Sequence, residues 1–225
     1  MRISAFTKSY GKKTVLRFPD HELPQGQIVA VIGANGSGKS TLAKVLAGIE
    51  FSDQRKRPLS GVSIGYLPQK SYGFHLSVRR NLLLNSGDRA LAARRMDALK
   101  ILDLQKARAD RLSGGETARM ALARLFMGSY DLVILDEPTA AMDRESTLLA
   151  EKLIREYVQE TCCTLLMVTH SLQQARRMAQ QILFLSNGAL IESGPISKVL
   201  SDPVETETRQ FLDFYGLLAS RDSTR

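Results

Sequence analysis

The sequence predicts an α/β fold in which helices cover both faces of a mostly parallel sheet. Three observations carry this prediction. Short apolar runs such as Ile28–Ile32 alternate with segments of helical periodicity. The runs are almost uninterrupted, which is typical of strands buried on both faces. A glycine-rich segment directly follows Ile28–Ile32 and places a turn at the end of a strand. In such folds ligands bind at the carboxyl ends of the strands.

Composition places the chain among globular proteins. Its 225 residues suit one large domain or two small ones, and 44% hydrophobic with 24% charged residues is ordinary for a soluble protein. The net charge of +8 comes from scattered basic pairs, so we do not expect a nucleic acid partner. No apolar run reaches membrane-spanning length. The adjacent Cys162 and Cys163 are poorly placed for a structural disulfide, which favours a reducing compartment.

The individual elements follow from the apolar runs, the periodic segments and the turn residues between them. Strands are predicted at residues 3–6, 15–18, 27–32, 62–67, 131–135, 163–168, 182–185 and 189–191, and helices at 40–47, 144–159 and 171–179. The segment 195–216 is predicted to be helical. The turn 186–188 (Ser-Asn-Gly) predicts a hairpin. Residues 76–111 carry Leu and Met at helical spacing and predict a helical insertion. The polar residues after 216 are expected to be loose.

The glycine-rich segment spells G-x-x-x-x-G-K-S from Gly33 to Ser40. Its glycines allow the backbone to curl around a phosphate and to aim N–H groups inward. The helix that follows directs its positive N-terminal end at the anion. Lys39 can reach the β and γ phosphates, and the Ser40 hydroxyl can hold Mg²⁺. The segment therefore predicts a site for nucleotide phosphates, because a turn that merely caps a helix needs neither Lys nor Ser here.

A second motif, Leu132–Glu137, is a buried strand that delivers two carboxylates at its end. Phosphoryl transfer to water needs a metal anchor and a group that orients the attacking water. Asp136 suits the Mg²⁺ shell, through a water, and Glu137 suits the general base. A strand that ends in a polar turn is the plain alternative. The position downstream of a phosphate loop favours the catalytic interpretation.

The third motif is Leu112–Glu116, L-S-G-G-E. Ser113 and Glu116 have the spacing of a capping box, which predicts a helix start. A helix N-terminus with two glycines is also a phosphate-binding surface. One chain would then own two such surfaces for one nucleotide. A face-to-face dimer resolves this, with each ATP held by the phosphate loop of one subunit and the Ser-Gly-Gly helix of the other.

With these three motifs the chain resembles the ATP-binding cassette (ABC) ATPases over nearly its whole length. The motifs correspond to Walker A at Gly33–Thr41, to Walker B at Leu132–Glu137 and to the family signature L-S-G-G-Q at Leu112–Glu116, with Glu in the last place. The resemblance implies a P-loop NTPase core with a mostly parallel sheet, an N-terminal antiparallel β subdomain and a small helical subdomain insertion. It implies one ABC ATPase domain over 1–225, with a nucleotide-binding core at 1–70 and 131–200, a helical subdomain with the signature at 71–130, and a C-terminal helix and tail at 201–225.

The resemblance also assigns roles to single residues. Tyr10 stacks on adenine, Gln69 is the Q-loop glutamine, Asp143 is the D-loop aspartate and His170 is the switch histidine. The catalytic set is Glu137, His170, Lys39 and Gln69, and the Mg²⁺ ligands are Ser40, Gln69 and Asp136. The nucleotide-contacting set is Tyr10, Gly33, Asn35, Gly36, Ser37, Gly38, Lys39, Ser40, Thr41, Ser113, Gly114, Gly115 and Asp143. Ala140 and Met142 depart from the usual D-loop, which begins with Ser and contains Leu, and the lost hydroxyl would weaken hydrogen bonding across the dimer by about 1 kcal/mol.

The function implied by the resemblance is that of an ATP-hydrolysing subunit. It would dimerise around Mg-ATP, as a homodimer or with a second ABC ATPase. It would power transport by a separate integral membrane permease, and the transporter would be an importer. A solute-binding protein and a place at the cytoplasmic face of the membrane would accompany that role. Met167–Gln174 and Leu190–Gly194 resemble ATPases of phosphate or tungstate importers. The alternatives are a soluble ABC ATPase for a process such as iron–sulfur cluster assembly, and an inactive regulatory cassette, which the presence of Lys39, Asp136, Glu137 and His170 disfavours.

Overall fold

The computed structural model describes residues 1–216, which contain ten strands and eight α-helices. The strands are β1 Arg2–Ile3, β2 Phe6–Tyr10, β3 Lys13–Phe18, β4 His21–Glu22, β5 Ile28–Ile32, β6 Ile64–Leu67, β7 Leu132–Asp136, β8 Thr164–Val168, β9 Gln181–Ser186 and β10 Ala189–Pro195. The helices are α1 Lys39–Leu46, α2 Val78–Leu83, α3 Arg89–Ala98, α4 Gly114–Leu125, α5 Arg144–Thr161, α6 Leu172–Met178, α7 Ile196–Ser201 and α8 Thr206–Phe214. The predicted loose tail lies outside the described residues.

The described chain divides into two compact units. The first contains Met1–Gly61 and the chain from Val168 onward. Its strands follow the order β2–β3–β10–β9–β5. The pairs β2–β3 and β9–β10 are antiparallel, whereas β3–β10 and β5–β9 are parallel. Every residue of β5 is buried, as its uninterrupted apolar sequence predicts.

The second unit, Val62–Met167, contains three strands in the order β8–β7–β6 and the helices α2 to α5. The strands β6 and β7 are parallel, with Leu67 opposite Leu135. All five residues of β7 are buried. Among the helices, Phe126 stacks on Tyr157 with ring centroids 4.1 Å apart, and the Tyr157 hydroxyl donates to the Gly128 carbonyl at 2.9 Å. Burial raises the pKa of Tyr157, so this phenol is neutral in the folded state.

Both units confirm the α/β prediction, with parallel core strands and antiparallel strands near the N-terminus. None of the helices in the described part of the chain has the length and apolarity needed to cross a membrane. The domain boundaries at residues 70, 131 and 200 stay predictions.

The predicted strand at residues 3–6 is wrong, because the chain changes partner there. Ile3 lies in β1, which pairs with β4, whereas Phe6 begins β2, which pairs with β3. Both side chains are buried. A single strand has a side-chain period of two and would place residues three positions apart on opposite faces. The break at Ser4, whose N–H donates to the Pro58 carbonyl at 3.0 Å, buries both.

The segment 195–216 is predicted to be helical, and the structure confirms helix there in two pieces. The structure has α7 and α8 with a break between them, and Asp202 is extended at φ −146°. Pro203 explains the break, since proline has no N–H for the helix and disfavours the helical conformation of the residue before it. The strand β10 runs on to Pro195, past the predicted end at residue 191.

Candidate functional site

The loop Gly33–Gly38 connects β5 to α1 in the first unit. Gly33, Gly36 and Gly38 have φ of 147°, 79° and 100°, a conformation that only glycine adopts readily. At Gly33 space is also decisive, because an added Cβ would lie 2.0 Å from the carbonyl oxygen of Leu185 in β9. The loop backbone therefore curls as the glycine pattern predicts.

The interior of this loop holds two polar groups suited to an anion. Lys39 is buried, and its Nζ donates to the carbonyl oxygens of Gly33 at 2.8 Å and Ala34 at 2.9 Å. The Ser37 Oγ is buried and has no hydrogen-bond partner among the described residues. Helix α1 begins at Lys39 after the N-cap residue Gly38, with no side-chain cap and no acidic residue in its first turn. A buried cation, an unpaired hydroxyl and an uncapped helix N-terminus fit the phosphates of ATP.

Tyr10 ends β2, and its side chain is half exposed. Its hydroxyl donates to the Glu50 carboxylate, and Lys8 Nζ lies 4.8 Å from the ring centroid. Burial raises the pKa of Tyr10, and the hydrogen bond and charge of Glu50 raise it further, while Thr41 in the first turns of α1 opposes them. The predicted adenine-stacking residue is therefore close to the helix that follows the phosphate loop.

His170 follows β8 and is exposed. The preceding residue is anchored, since the Thr169 N–H donates to the Val31 carbonyl of β5 at 3.2 Å. The Thr169 hydroxyl donates to Gln174 Oε1 at 2.9 Å and accepts from the Ser171 N–H at 3.1 Å. These bonds place His170 beside the strand that leads into the phosphate loop.

In the second unit the parallel register brings two predicted catalytic residues together. Gln69 and Glu137 each lie two residues beyond the paired Leu67 and Leu135. The Gln69 amide Nε2 donates to Glu137 Oε2 at 3.0 Å. Glu137 has φ 51°, a conformation uncommon for non-glycine residues and frequent at functional sites. The glutamine therefore orients the carboxylate that is predicted to act as general base.

Asp136 ends β7 and is 2% exposed, so its carboxylate lies at the buried end of the strand. Carboxylate, hydroxyl and amide oxygens are the hard ligands that Mg²⁺ prefers. The predicted set of Ser40, Gln69 and Asp136 supplies one oxygen of each kind, and its chemistry fits that ion.

The signature segment begins α4 with a complete capping box. The Ser113 Oγ accepts from the Glu116 N–H at 3.3 Å, while Glu116 Oε2 accepts from the Ser113 N–H and hydroxyl, both at 2.8 Å. These bonds lower the pKa of Glu116. A Cβ on Gly114 would meet open space, whereas one on Gly115 would lie 3.1 Å from the Ala141 carbonyl. The signature helix therefore starts next to the D-loop.

Asp143 caps α5, because its Oδ1 accepts from the Ser146 N–H at 2.7 Å. The backbone and hydroxyl of Ser146 lower the pKa of Asp143. The Ser146 hydroxyl also accepts a hydrogen bond from Arg119 of α4. The D-loop is thus tied to the signature helix.

Three pairings are therefore visible: Tyr10 with the start of α1, Gln69 with Glu137, and the signature with the D-loop. The roles of the individual residues stay predictions. Sequence reasoning missed Glu50 and Ser146. Ser146 stands three residues after Asp143, so the spacing of a helix cap could have identified it. Glu50 contacts Tyr10 from 40 residues away, and no local pattern indicates that contact.

Comparisons with known proteins identify relatives of the chain. A family model described as ABC transporter matches residues 16–140. The tungstate uptake system ATP-binding protein of Peptoclostridium acidaminophilum is 35% identical, covering 85% of this chain and 96% of that protein. The zinc import ATP-binding protein of Paracoccus denitrificans is 36% identical, covering 82% of this chain and 75% of that protein.

Solved structures agree as well. An inward-facing ABC transporter assigned to the metal-chelate type superimposes with a TM-score of 0.77 at 28% identity, over 95% of this chain and 88% of that one. A dimeric bacterial ABC transporter cassette has a TM-score of 0.76 at 21% identity, over 87% and 98% of the two chains, and shows the same fold.

Proposed function

This chain belongs to the ABC transporter family, whose ATP-binding subunits bind and hydrolyse ATP, and from that premise we propose that it serves an importer by clamping Mg-ATP between two subunits. The observation that carries the proposal is the loop Gly33–Gly38. Its buried Lys39 and its unpaired Ser37 hydroxyl are groups that a triphosphate would satisfy. The Lys39 ammonium neutralises the β and γ phosphates, and the N–H groups at the start of α1 bind their oxygens.

Hydrolysis requires an activated water beside the γ phosphate. Glu137 takes the proton from this water, and Gln69 holds the carboxylate in place through the 3.0 Å hydrogen bond. His170 hydrogen-bonds the γ phosphate. Mg²⁺ would neutralise charge on the β and γ oxygens, held by Ser40, by Gln69 and, through a water, by Asp136.

The second subunit completes the site in this proposal. Its Ser113 hydroxyl, the N–H groups of Gly114 and Gly115 and its Asp143 meet the nucleotide held by the first subunit. The open space around Gly114 supports this assignment, because it leaves the N-terminus of α4 accessible. The partner is a second copy or a close relative, since both would present the same surface.

A groove in the second unit suits a membrane permease. It has a volume of about 260 Å³, and its lining includes the exposed side chains of Tyr72, Phe74 and Leu84 beside the polar Asn85 and Arg124. Arg124 fixes its wall by donating to Asn81 Oδ1 at 3.1 Å and to the Tyr72 carbonyl at 3.0 Å, beneath the Phe74 ring. Pro68 of the groove directly precedes Gln69, and Tyr72 follows three residues later, so a helix bound there can act on the residue that orients Glu137.

The proposed setting is the cytoplasmic face of a membrane, where the chain works with a permease and a solute-binding protein. The names of the relatives, which speak of uptake and import, support the importer part of this proposal. These relatives are named for tungstate, zinc and other unlike cargoes at similar identity. An ATP-binding subunit does not contact the cargo. The identity of the permease therefore decides whether the transported substrate is an oxyanion such as phosphate or tungstate.

The catalytic assignment is tested by Glu137→Gln. We expect hydrolysis to slow by about 10²-fold while ATP still binds, because the amide cannot accept the proton and the phosphate loop is intact. Single-turnover ATPase assays and nucleotide titrations measure the two effects.

The matched variant is Lys39→Ala, which should lose tight ATP binding. If Glu137→Gln hydrolyses ATP at the wild-type rate, Glu137 is not the general base. If Lys39→Ala binds ATP with unchanged affinity, the loop Gly33–Gly38 is not the phosphate site.

The permease assignment is tested by Leu84→Glu, which places a charge on the exposed wall of the groove. We expect the tagged wild-type chain to co-purify from host membranes with one multi-span protein and the variant to lose it, because a buried unpaired carboxylate opposes docking. Leu148→Glu is the control, since Leu148 is exposed on α5, outside the groove. Isolation without any membrane protein would favour the soluble assembly ATPase.

A further inference from the structure

Residues 50–54, here called the strap, lie along β2 and hold its outer edge. Each residue of β2 from position 7 to position 10 forms a hydrogen bond with the strap. The bonds join Tyr10 Oη to Glu50, Lys8 Nζ to the Phe51 carbonyl at 3.0 Å, Ser9 N and Oγ to the Asp53 carboxylate at 2.9 Å each, and Thr7 N to Gln54 Oε1 at 3.2 Å. The Asp53 N–H also donates to the Thr7 carbonyl at 2.8 Å. The strap therefore fixes the end of β2 that carries Tyr10.

Glu50 is the point where the strap meets α1. Its carboxylate accepts from the Tyr10 hydroxyl and lies 3.6 Å from both Lys8 Nζ and Lys44 Nζ. Lys44 belongs to the last turn of α1. The side chain of Glu50 is only 23% exposed, so these cations surround a largely covered carboxylate. Glu50 thus links Tyr10 to the helix that begins at the phosphate loop.

The ring of Tyr10 is held on one face as well as at its hydroxyl. Lys8 Nζ lies 4.8 Å from the ring centroid and is itself bound to the Phe51 carbonyl. A planar base stacks on one face of an aromatic ring, and the cation leaves the opposite face for it. A ring that is already oriented loses less conformational freedom when a ligand stacks on it.

We propose that Glu50 is a positioning residue for base recognition, which holds the Tyr10 ring in the orientation that stacks on the adenine of ATP. The inference rests on the proposed function, in which Tyr10 contacts the base. Glu50 itself touches neither the base nor the phosphates. It acts through the hydrogen bond to the Tyr10 hydroxyl and through Lys8 and Lys44.

The experiment compares a ligand with a base and one without, using ADP and pyrophosphate with Mg²⁺. Calorimetric titration of the full chain is expected to show about fivefold weaker ADP binding in Glu50→Ala, since one hydrogen bond is worth a factor of this order. Pyrophosphate binding should not change, because the phosphate loop is untouched. Glu50→Gln keeps an acceptor for the Tyr10 hydroxyl and should retain most of the ADP affinity.

Two further variants separate positioning from fold stability. Tyr10→Phe removes the hydroxyl, and combining it with Glu50→Ala should weaken ADP binding no more than Glu50→Ala alone. Asp20→Asn breaks an exposed ion pair with Arg2 in the same unit and should bind ADP normally. In steady-state assays Glu50→Ala should raise KM for ATP at constant kcat.

Unchanged ADP affinity in Glu50→Ala, or an equal loss for ADP and pyrophosphate, would overturn the inference. If Tyr10→Ala weakens ADP binding while Glu50→Ala does not, only the role of Glu50 fails. If the wild-type chain binds ADP no better than pyrophosphate, the base site fails and the role of Glu50 with it. If Lys39→Ala leaves both affinities unchanged, the phosphate site of the proposed function fails.

Discussion

At the level of single residues, the glycines of the phosphate loop are not equivalent. Gly33 needs its positive φ and also the space that a Cβ would take from the Leu185 carbonyl, 2.0 Å away. Gly36 needs only its positive φ, since a Cβ there would meet open space. The motif G-x-x-x-x-G-K-S fixes a glycine at position 33 but leaves position 36 variable, and of these two glycines only Gly33 is packed against the sheet.

This difference predicts the cost of alanine at each position. Gly33→Ala should lower the free energy of unfolding by more than about 3 kcal/mol, because backbone atoms of β9 would have to move. Gly36→Ala should cost about 1 kcal/mol from the left-handed conformation alone. Urea denaturation of both variants measures the two values, and equal costs would contradict the packing argument.

The orientation of the Glu137 carboxylate is also set locally. Its positive φ and its hydrogen bond from Gln69 are both local to the carboxyl ends of β6 and β7. The strained backbone directs the carboxylate away from the path that an extended strand would follow. The orientation of Glu137, the predicted general base, therefore depends on Gln69. Gln69 lies between β6 and the helices α2 to α4.

At the level of elements, the capping box of α4 makes this helix sensitive to acid. The hydrogen bonds from Ser113 lower the pKa of Glu116 in the folded state relative to the unfolded chain. A carboxyl group with a lowered pKa stabilises the fold above its unfolded pKa, and this contribution disappears as the pH falls through the folded pKa. The affected window therefore begins near pH 4.5 and extends downward.

We therefore expect the unfolding free energy of the wild-type chain to fall more steeply below about pH 4.5 than that of Glu116→Gln, whose amide does not titrate. Urea denaturation at pH 7 and at a series of pH values from 4.5 downward measures the difference. Ser113→Ala should cost about 1 kcal/mol at pH 7 through loss of the cap. Identical pH dependence in the wild type and Glu116→Gln would show that the cap does not couple to protonation.

At the level of the whole molecule, the proposed dimer predicts how ATP changes the molecular mass of the protein in solution. With ATP the Glu137→Gln variant should migrate at twice the 24.9 kDa of one chain, because hydrolysis no longer separates the subunits. Adding Gly114→Asp should keep ATP binding but block association. The new side chain meets open space within its own subunit, and a carboxylate at a helix N-terminus does not disturb the helix, but it would repel the γ phosphate of the partner.

Gly87→Asp is the matched control for this prediction. Gly87 also has open space for a Cβ, and it lies before α3, outside the predicted nucleotide contacts. Light scattering in the presence of ATP distinguishes the species. Dimers of the Gly114→Asp variant would exclude the signature helix from the interface.

The sequence by itself determined the class of fold, the order of the motifs and the residues at the ends of the buried strands. These features are local, because glycine conformations, helix caps and apolar periodicity depend on a few neighbouring residues. The strand assigned to residues 3–6 is wrong because the chain changes its strand partner there. The helical prediction for 195–216 is confirmed, but a proline divides that segment into two helices.

Only the tertiary structure decided which distant residues meet. The contact of Gly33 with Leu185, the bond of Gln69 to Glu137 and the hold of Glu50 on Tyr10 each join residues far apart along the chain. Such contacts depend on strand register and on the path of loops between elements. Local periodicity encodes neither, so the positioning of the candidate site became visible only in the folded chain.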